Sequence, residues 1–237
     1  MRRTSRRQCQ VLRLPWCETG ASDVSDIGQM TLEQLIAAIR ACTLCPLHSG
    51  RSNAVPGEGP ANAAVMFIGE GPGFHEDRLG RPFVGSAGKF LEELLASIGM
   101  TREQVYIANV VKCRPPGNRD PLPEELTACN AYLERQIELI HPGVIVTLGR
   151  FSMCRYFPGQ SISRIHGQVR HVVAAPGARP GAEVAVVPML HPAAALHQPR
   201  WKSTIEADFQ KLPQIIAQAQ QVAPTQQPTQ AQQLSLF

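Results

Sequence analysis

The sequence is poor in long apolar runs, in aromatic residues and in charge. No stretch approaches the ~18 consecutive apolar residues that a membrane-spanning helix needs, so we do not expect this chain to be an integral membrane protein. Charged residues make up 18% and aromatic residues 5% of the 237 residues, but hydrophobic residues reach 43%, which is enough for a packed core and excludes a wholly disordered chain. The net charge of +4 permits nucleic-acid binding without requiring it.

A secretory signal is also missing. The arginines at positions 2, 3, 6 and 7 are followed by no apolar stretch. Seven cysteines are too few, and odd in number, for the disulfide scaffold of a secreted protein of this size. We therefore expect a cytoplasmic protein, in which a close cysteine pair holds a metal more readily than it forms a disulfide.

Composition divides the chain into three zones. Residues 1–29 show no periodicity and predict a disordered basic extension, or a wrongly assigned start, because a clear helix opens at Met30 with a capping-box pattern at Thr31 and Gln34. Residues 30–217 carry the pattern of a globular domain. Residues 218–237 are uncharged and rich in Gln and Pro, which predicts a disordered tail.

Continuous apolar strands alternate with helices through the globular zone. The pattern predicts an α/β fold, a three-layer sandwich with a central parallel four-stranded sheet flanked by helices. Predicted strands cover 64–69, 105–111, 144–148 and 183–187, and predicted helices include 87–98, 123–140 and a single closing helix over 201–219. Function is then expected at the carboxyl ends of the strands.

Four of the seven cysteines have the spacing of metal ligands. They are Cys42, Cys45, Cys113 and Cys129. Four thiolates can complete a tetrahedral zinc site or hold a four-iron cluster, whereas the alternative is a set of buried free cysteines. Cys9, Cys17 and Cys154 are not expected to be ligands, and Cys154 is expected in the core. The neighbours of Cys113 predict a basic face, formed by Lys112, Arg114 and Arg119.

A glycine-rich loop, Gly69-Glu-Gly-Pro-Gly73, follows the first predicted strand. It matches neither the GxGxxG spacing nor a P-loop, so we interpret it as a loop that brings backbone N–H groups and Glu70 close to a ligand. Glu76 and Asp77 either add carboxylates there or form a solvated turn. Phe83, between turn residues, is either a core plug or an exposed stacking ring.

These motifs together resemble one family. Gly69-Glu-Gly-Pro-Gly-Phe-His-Glu-Asp77, Gly80-Arg-Pro-Phe-Val-Gly85, Asn109-Val-Val-Lys-Cys-Arg-Pro-Pro116 and His191-Pro-Ala193 occur in this order, with the four cysteines. Over residues 31–212 the sequence closely resembles the family 4 uracil-DNA glycosylases, the iron–sulfur branch of that superfamily. The resemblance implies that the four cysteines hold a structural 4Fe-4S cluster, with zinc as the alternative.

The resemblance also implies roles for the site residues of a monofunctional uracil-DNA glycosylase in base excision repair. A flipped-out uracil would stack on Phe83, pair its edge with Asn109, and approach the backbone of Gly69 and Gly71. His191 would donate to the oxyanion on the departing uracil. The carboxylate of Glu70 would stabilise the sugar cation or orient water.

One loop departs from the family pattern. Arg164-Ile-His166 precedes a predicted strand over 169–174, and a related branch of the superfamily carries a histidine here that captures the sugar covalently. We therefore keep three alternatives: turnover with His166 and Arg164 on DNA phosphates, covalent capture through His166, and a non-catalytic metal-stapled DNA-binding module.

The last residues of the sequence include two leucines and a phenylalanine, and they follow the polar Gln- and Pro-rich stretch. Gln233, Leu234, Leu236 and Phe237 resemble the short peptide by which bacterial repair proteins dock on the DNA sliding clamp. The alternative is a hydrophobic end that folds back on the domain. We expect a monomer that acts on uracil-containing DNA in the bacterial cytoplasm, near the nucleoid.

Overall fold

The structure, a computed structural model, describes residues 26–173 and 183–222. Predictions for most of the amino-terminal extension and for the clamp peptide, Gln233, Leu234, Leu236 and Phe237, lie outside the described residues, as do Cys9 and Cys17. Within the described ranges, no helix has the length and apolar character needed to cross a bilayer.

Strands and helices alternate along most of the chain. The strands are β1 Val65–Gly69, β2 Tyr106–Asn109, β3 Val144–Leu148, β4 Arg170–Val173 and β5 Glu183–Met189. The helices are α1 Leu32–Ala41, α2 Phe74–Leu79, α3 Ser86–Ser97, α4 Pro123–Ile140, α5 Arg150–Cys154, α6 Ile162–Ile165, α7 Ala193–His197, α8 Arg200–Phe209 and α9 Leu212–Val222.

The sheet has the order β2-β1-β3-β5-β4. The first four of these strands are parallel to one another, which confirms the α/β architecture. The four predicted parallel strands are all present, and the strand predicted over 169–174 is β4, which adds a fifth strand that pairs antiparallel with β5 at the edge of the sheet. An edge strand needs only one partner, so an antiparallel strand can complete an otherwise parallel sheet.

Alternate residues of each strand face opposite layers of helices. Phe67 and Val146 pack on one face with Phe209 of α8, whose ring stacks on that of Phe67 with centroids 6.0 Å apart. Met66 and Ile145 pack on the other face against α4 and α5. A sheet buried on both faces explains why its strands read as continuous apolar runs.

Two helices differ from the prediction. The closing helix is two helices, because α8 ends at Phe209 and α9 begins at Leu212, with Pro213 in the first turn of α9, where proline is favoured. The short helix α2 was read as a loop. In contrast, α4 has the predicted bounds, and the Thr31–Gln34 capping box at the start of α1 is present.

The parallel strands end at one edge of the sheet. Gly69 ends β1 beside Asn109, which ends β2. At the neighbouring strand ends, the Gly149 N–H donates to the carbonyl of Met189 at 2.8 Å, and His191 follows two residues later. The predicted site residues from three separate strands are thus placed at one edge, as parallel topology requires.

Candidate active site and cysteine centre

Gly69 lies where two predicted site side chains meet. A Cβ atom at this position would lie 2.4 Å from Asn109 Oδ1 and 2.7 Å from Phe83 Cζ. Only a residue without a side chain fits there, because both neighbours would have to move for any other. The structure therefore brings Gly69, Phe83 and Asn109 together.

The side chain of Asn109 is buried without being satisfied. It is 2% exposed, and its Oδ1 has no hydrogen-bond partner in the described part of the chain. Its backbone is fixed, since the next residue, Val110, donates its N–H to the carbonyl of Gly69 at 3.1 Å. A buried amide oxygen without a donor is costly, so this position suits a ligand that brings an N–H group.

Phe83 is 5% exposed and is held in an unusual conformation, with φ at 51°. Arg102 donates from Nη1 to the carbonyl of Phe83 at 2.8 Å. Gly88 allows α3 to approach, because a Cβ there would lie 1.9 Å from the same carbonyl oxygen. A positive φ is strained for a phenylalanine, so these contacts together impose the ring's position.

Phe83 is therefore a buried ring, and it also faces the candidate site. Its centroid lies 5.4 Å from that of the His191 imidazole, with 28° between the ring planes. Of the two alternatives that the sequence left open, a core residue or an exposed stacking ring, the structure shows the buried ring, and the exposed one was wrong.

His191 is poised as a neutral donor. Its Nδ1 accepts the backbone N–H of Ala193 at 3.1 Å, so the ring proton of the neutral form sits on Nε2. Burial lowers the pKa of His191 to about 4, although the nearby carboxylate of Glu76 acts in the opposite direction. The imidazole is thus uncharged at neutral pH and has one N–H to offer.

Glu70 follows Gly69 directly and has a perturbed carboxyl group. Burial raises its pKa to about 7, Asp120 adds to the rise, and Arg150 opposes it. Asp120 and Arg150 are themselves an ion pair. Beyond Glu70, a Cβ on Gly71 would lie 2.7 Å from Val111 Cγ2, so the glycine loop packs closely on the segment after β2.

The carboxylates of α2 hold backbone N–H groups, so the solvated turn, one of the two alternatives left open for them, is not what forms. Glu76 Oε1 accepts the N–H groups of Val84 and Gly85, each at 2.9 Å, and so shapes the loop that carries Phe83. Asp77 is 4% exposed and accepts the N–H of Ser52 at 2.9 Å. One signal could have revealed α2: Gly80, at φ 67°, is the glycine that commonly ends a helix.

Phe83, Asn109 and His191 thus form one cluster, and Glu70 directly follows Gly69 beside it. Together these groups offer an aromatic ring, a buried amide without a donor, one neutral N–H donor and a carboxyl group that titrates near neutrality. Such a set can recognise the edge of a planar heterocycle and stabilise negative charge that develops on it.

The four predicted ligand cysteines line one cavity. The sulfurs accept hydrogen bonds: Cys42 from the Leu44 N–H at 3.5 Å, Cys113 from Arg51 Nη1 at 3.1 Å, and Cys45 and Cys129 from the backbone of Leu47 and Lys112. Across residues 26–173 and 183–222, no three His, Cys, Asp or Glu side chains are arranged to hold a single metal ion.

Burial governs the protonation of these thiols. It raises the pKa of Cys129 to about 12 and also raises the pKa values of Cys45 and Cys113, the last against the opposing effect of Arg51. Thiolates are therefore disfavoured in this cavity unless a cationic centre binds them. The donor set, four thiols that each accept an N–H bond, fits a thiolate-ligated metal centre.

The basic face expected around Cys113 is not formed by the predicted residues. Lys112 is 1% exposed and points inward. Arg119 Nη2 pairs with Glu125 Oε1 at 2.6 Å, so a carboxylate compensates its positive charge. Arg114 does lie near the surface, with its guanidinium carbon 5.2 Å from the centre of the exposed Phe74 ring.

His166 is engaged outside the cluster formed by Phe83, Asn109 and His191. Its Nδ1 lies 2.6 Å from Oδ2 of the buried Asp208, whose Oδ1 accepts from Lys211 Nζ at 2.7 Å. Arg164 is exposed two residues earlier. Cys154, expected in the core, packs partly buried against the α4 face of the sheet.

Comparison with known proteins agrees with this geometry. Residues 56–212 match the model of the uracil DNA glycosylase superfamily. The chain is 46% identical over 195 residues to the type-4 uracil-DNA glycosylase of Archaeoglobus fulgidus, an alignment that covers 80% of this chain and 96% of that protein.

Two further relatives cover less of the chain. The type-4 uracil-DNA glycosylase of Thermotoga maritima is 52% identical over 132 residues, 56% of this chain and 69% of that protein. The type-5 uracil-DNA glycosylase of Thermus thermophilus is 34% identical over 156 residues, 52% of this chain and 71% of that protein. The chain belongs to the type-4 uracil-DNA glycosylases of the uracil DNA glycosylase superfamily.

Proposed function

We propose that this chain removes uracil from DNA by hydrolysing the bond between the base and the deoxyribose, and leaves an abasic site for base excision repair. The observation that carries the proposal is the buried, unpartnered amide of Asn109 beside the Phe83 ring and the neutral His191 imidazole. The base must first leave the duplex, at a cost of a few kcal/mol, because its glycosidic bond is otherwise out of reach.

Recognition of uracil rests on the amide of Asn109. One face of an amide offers an acceptor and a donor together, which matches the N3–H and O4 of uracil. Cytosine presents the opposite polarity at this edge and would leave buried groups unpaired, and that penalty gives the discrimination. Phe83 supplies a stacking face, a contact that is worth about 1–3 kcal/mol for a base on an aromatic ring.

Bond cleavage separates charge, and His191 acts on the negative part. As the base leaves, the bonding electron pair moves to the ring and accumulates on O2. The Nε2–H of His191 donates to this oxygen, and because the imidazole is neutral it needs no proton transfer to do so. Fixed donors of this kind are often the largest contribution to catalysis.

Glu70 acts on the positive part. Its carboxylate stabilises the cationic sugar and orients the water whose oxygen bonds to C1′, and it accepts the proton that this water loses. Glu70 then releases this proton to solvent, and the uracil anion takes one up from solvent, so the sum is uracil-DNA plus water giving uracil plus an abasic site. This role requires the ionised form, which is half populated near pH 7.

Cys42, Cys45, Cys113 and Cys129 would hold a 4Fe-4S cluster, in keeping with the type-4 family. The group would supply structure and no redox step, because hydrolysis transfers no electrons. It would join the loop after α1 to the segment after β2 and to α4. Zinc is the alternative for four thiolates. A brown protein that contains iron supports the cluster, and a colourless protein that contains zinc would refute it.

A single gel assay tests the activity. The metal-replete protein is incubated with a single-stranded oligonucleotide that contains one uracil, heated in alkali and run on a denaturing gel. We expect strand scission at the uracil and none in a matched oligonucleotide with thymine. An intact uracil oligonucleotide after incubation with folded protein would refute the proposed activity.

The same gel tests the role of His166. We propose that His166 and Arg164 contact DNA phosphates, since the Arg164 side chain is exposed and Asp208 orients the His166 imidazole through Nδ1 in the same loop. A protein–DNA band that survives denaturation, without free uracil, would instead support covalent capture. Binding of DNA with neither product would support the non-catalytic module.

We also propose that the peptide Gln233-Leu-Ser-Leu-Phe237 docks the enzyme on the bacterial sliding clamp, so that a monomer acts on DNA in the cytoplasm. Apolar side chains on a polar tether support this role, because a tether raises the local enzyme concentration on DNA. Deletion of residues 233–237 should abolish clamp binding and leave activity on a short oligonucleotide unchanged. Undiminished clamp binding would refute the docking role.

A further inference from the structure

Lys112 is a charged side chain held inside the protein by neutral groups. It is 1% exposed, and its Nζ donates to the backbone carbonyl of Asn109 at 2.9 Å and to Gln136 Oε1 at 2.6 Å. Removing an ammonium from water costs several kcal/mol when no opposite charge compensates it. An apolar side chain would fill this space without the free-energy cost of burying an ammonium group. We therefore ask what a lysine does at this position.

Lys112 contacts the candidate active site through the backbone of Asn109. Its side chain turns back by three residues to the carbonyl of Asn109, and so closes the turn that leaves β2. The acceptor Gln136 is fixed in turn, because its Nε2 donates to the Pro56 carbonyl at 2.8 Å and to the Tyr106 hydroxyl at 3.1 Å. The amide of Asn109 branches from the same residue whose carbonyl Lys112 holds.

The contacts of Lys112 also reach the cysteine cavity. Its backbone N–H donates to the sulfur of Cys129, the next residue is Cys113, and Lys112 itself lines the cavity. Four thiolate ligands bring negative charge when a metal centre is bound, and an ammonium at the cavity wall compensates part of that charge. One residue thus borders both sites.

We propose that Lys112 is a positioning residue that fixes the Asn109 amide for the uracil edge and couples this amide to the cysteine centre. The inference rests on the proposed function. It assigns Lys112 no contact with the substrate, so its whole effect on uracil must pass through Asn109. That requirement separates positioning from a general contribution to stability.

The test is a double-mutant cycle on the metal-loaded protein. We compare Lys112→Met with wild type, and the same change in an Asn109→Ala background, and measure the affinity for free uracil by calorimetry as well as uracil release. Lys112→Met should weaken uracil binding about tenfold or more, as expected for a lost hydrogen bond from a charged group. In the Asn109→Ala background it should have almost no further effect.

The matched control is Lys89→Met, which removes an exposed lysine of α3 and should leave uracil affinity unchanged. If Lys112→Met loses its iron, Lys112→Gln replaces it in the cycle, because glutamine keeps a neutral donor in the same space. Equal losses with and without the Asn109 amide would overturn the positioning role.

Two failures are distinguishable in this experiment. Wild-type protein that neither binds nor releases uracil would overturn the proposed function itself. Wild-type protein that binds uracil, together with a Lys112→Met variant of equal affinity, would overturn only the role of Lys112.

Discussion

The carboxyl group of Glu70 should set the pH dependence of uracil release. With its pKa raised to about 7 by burial, the group is ionised in about one tenth of the molecules at pH 6 and in about nine tenths at pH 8. If the carboxylate is the active form, kcat/KM should fall about tenfold for each pH unit below 7. His191 adds no loss in this range, because its pKa lies at about 4.

Substitution of Glu70 isolates this ionisation. Glu70→Gln should be slower than wild type at pH 8, and its rate should be constant between pH 6 and pH 8. Single-turnover release from a uracil oligonucleotide, measured every half pH unit, gives both profiles. Parallel profiles for wild type and Glu70→Gln would refute the assignment.

The neighbours of Glu70 provide two controls with opposite signs. Asp120 raises the pKa of Glu70 and Arg150 lowers it. On the acidic side of the pH–rate profile, called the acid limb, the rate should therefore fall at lower pH in Asp120→Asn and at higher pH in Arg150→Gln. Shifts in the same direction would show that another group titrates. The position of the limb is the readout, because Arg150→Gln can also weaken DNA binding and lower the rate at every pH.

Thermal unfolding gives an independent check of the same pKa. The folded state retains a proton on Glu70 between about pH 4.5 and pH 7, where the unfolded chain has released it. The unfolded state therefore binds fewer protons in this window, and the contribution of Glu70 to stability falls as the pH rises. Between pH 4.5 and pH 7, the Tm of Glu70→Gln should rise relative to the Tm of wild type. A Tm difference that stays constant over this range would contradict the raised pKa of Glu70.

Three further perturbations test the remaining groups. His191→Ala should lower the rate of uracil release by about 10²–10³ at pH 7 without changing the metal content, as for the loss of one oxyanion donor, and an unchanged rate would remove His191 from the mechanism. Phe83→Ala should weaken free-uracil binding more than overall DNA binding, and equal losses would contradict stacking. Cys129→Ala should lower iron content and Tm together, and full iron content would exclude Cys129 as a ligand.

The parts of the fold that sequence alone could predict are those set by local patterns. The strand Val144–Leu148 and the helix Pro123–Ile140 have the predicted bounds, because a short β-branched, mostly apolar run and a proline at a helix start are strong local signals. Parallel topology then determines that the strand ends share one edge. The placement of Gly69 and Asn109 at that edge follows from this rule, whereas their direct contact is seen only in the structure.

The parts that could not be predicted depend on contacts between distant segments. Nothing local to Arg102 indicates that it holds the carbonyl of Phe83, since the two lie 19 residues apart. Lys112 stands in a basic stretch and reads as a surface residue, whereas its neighbours in three dimensions bury it. The division between α8 and α9 could have been recognised, because Pro213 marks a helix start.

The hydrogen bond from Ala193 to His191 has a consequence for genome maintenance. With Nδ1 occupied, the imidazole can only donate, and cytosine and uracil both carry the same carbonyl oxygen at O2. In the proposed mechanism His191 therefore does not distinguish uracil from cytosine, and the choice between these two bases falls to the amide of Asn109. A change that relaxed Asn109 while sparing His191 would leave an enzyme able to attack the intact genome.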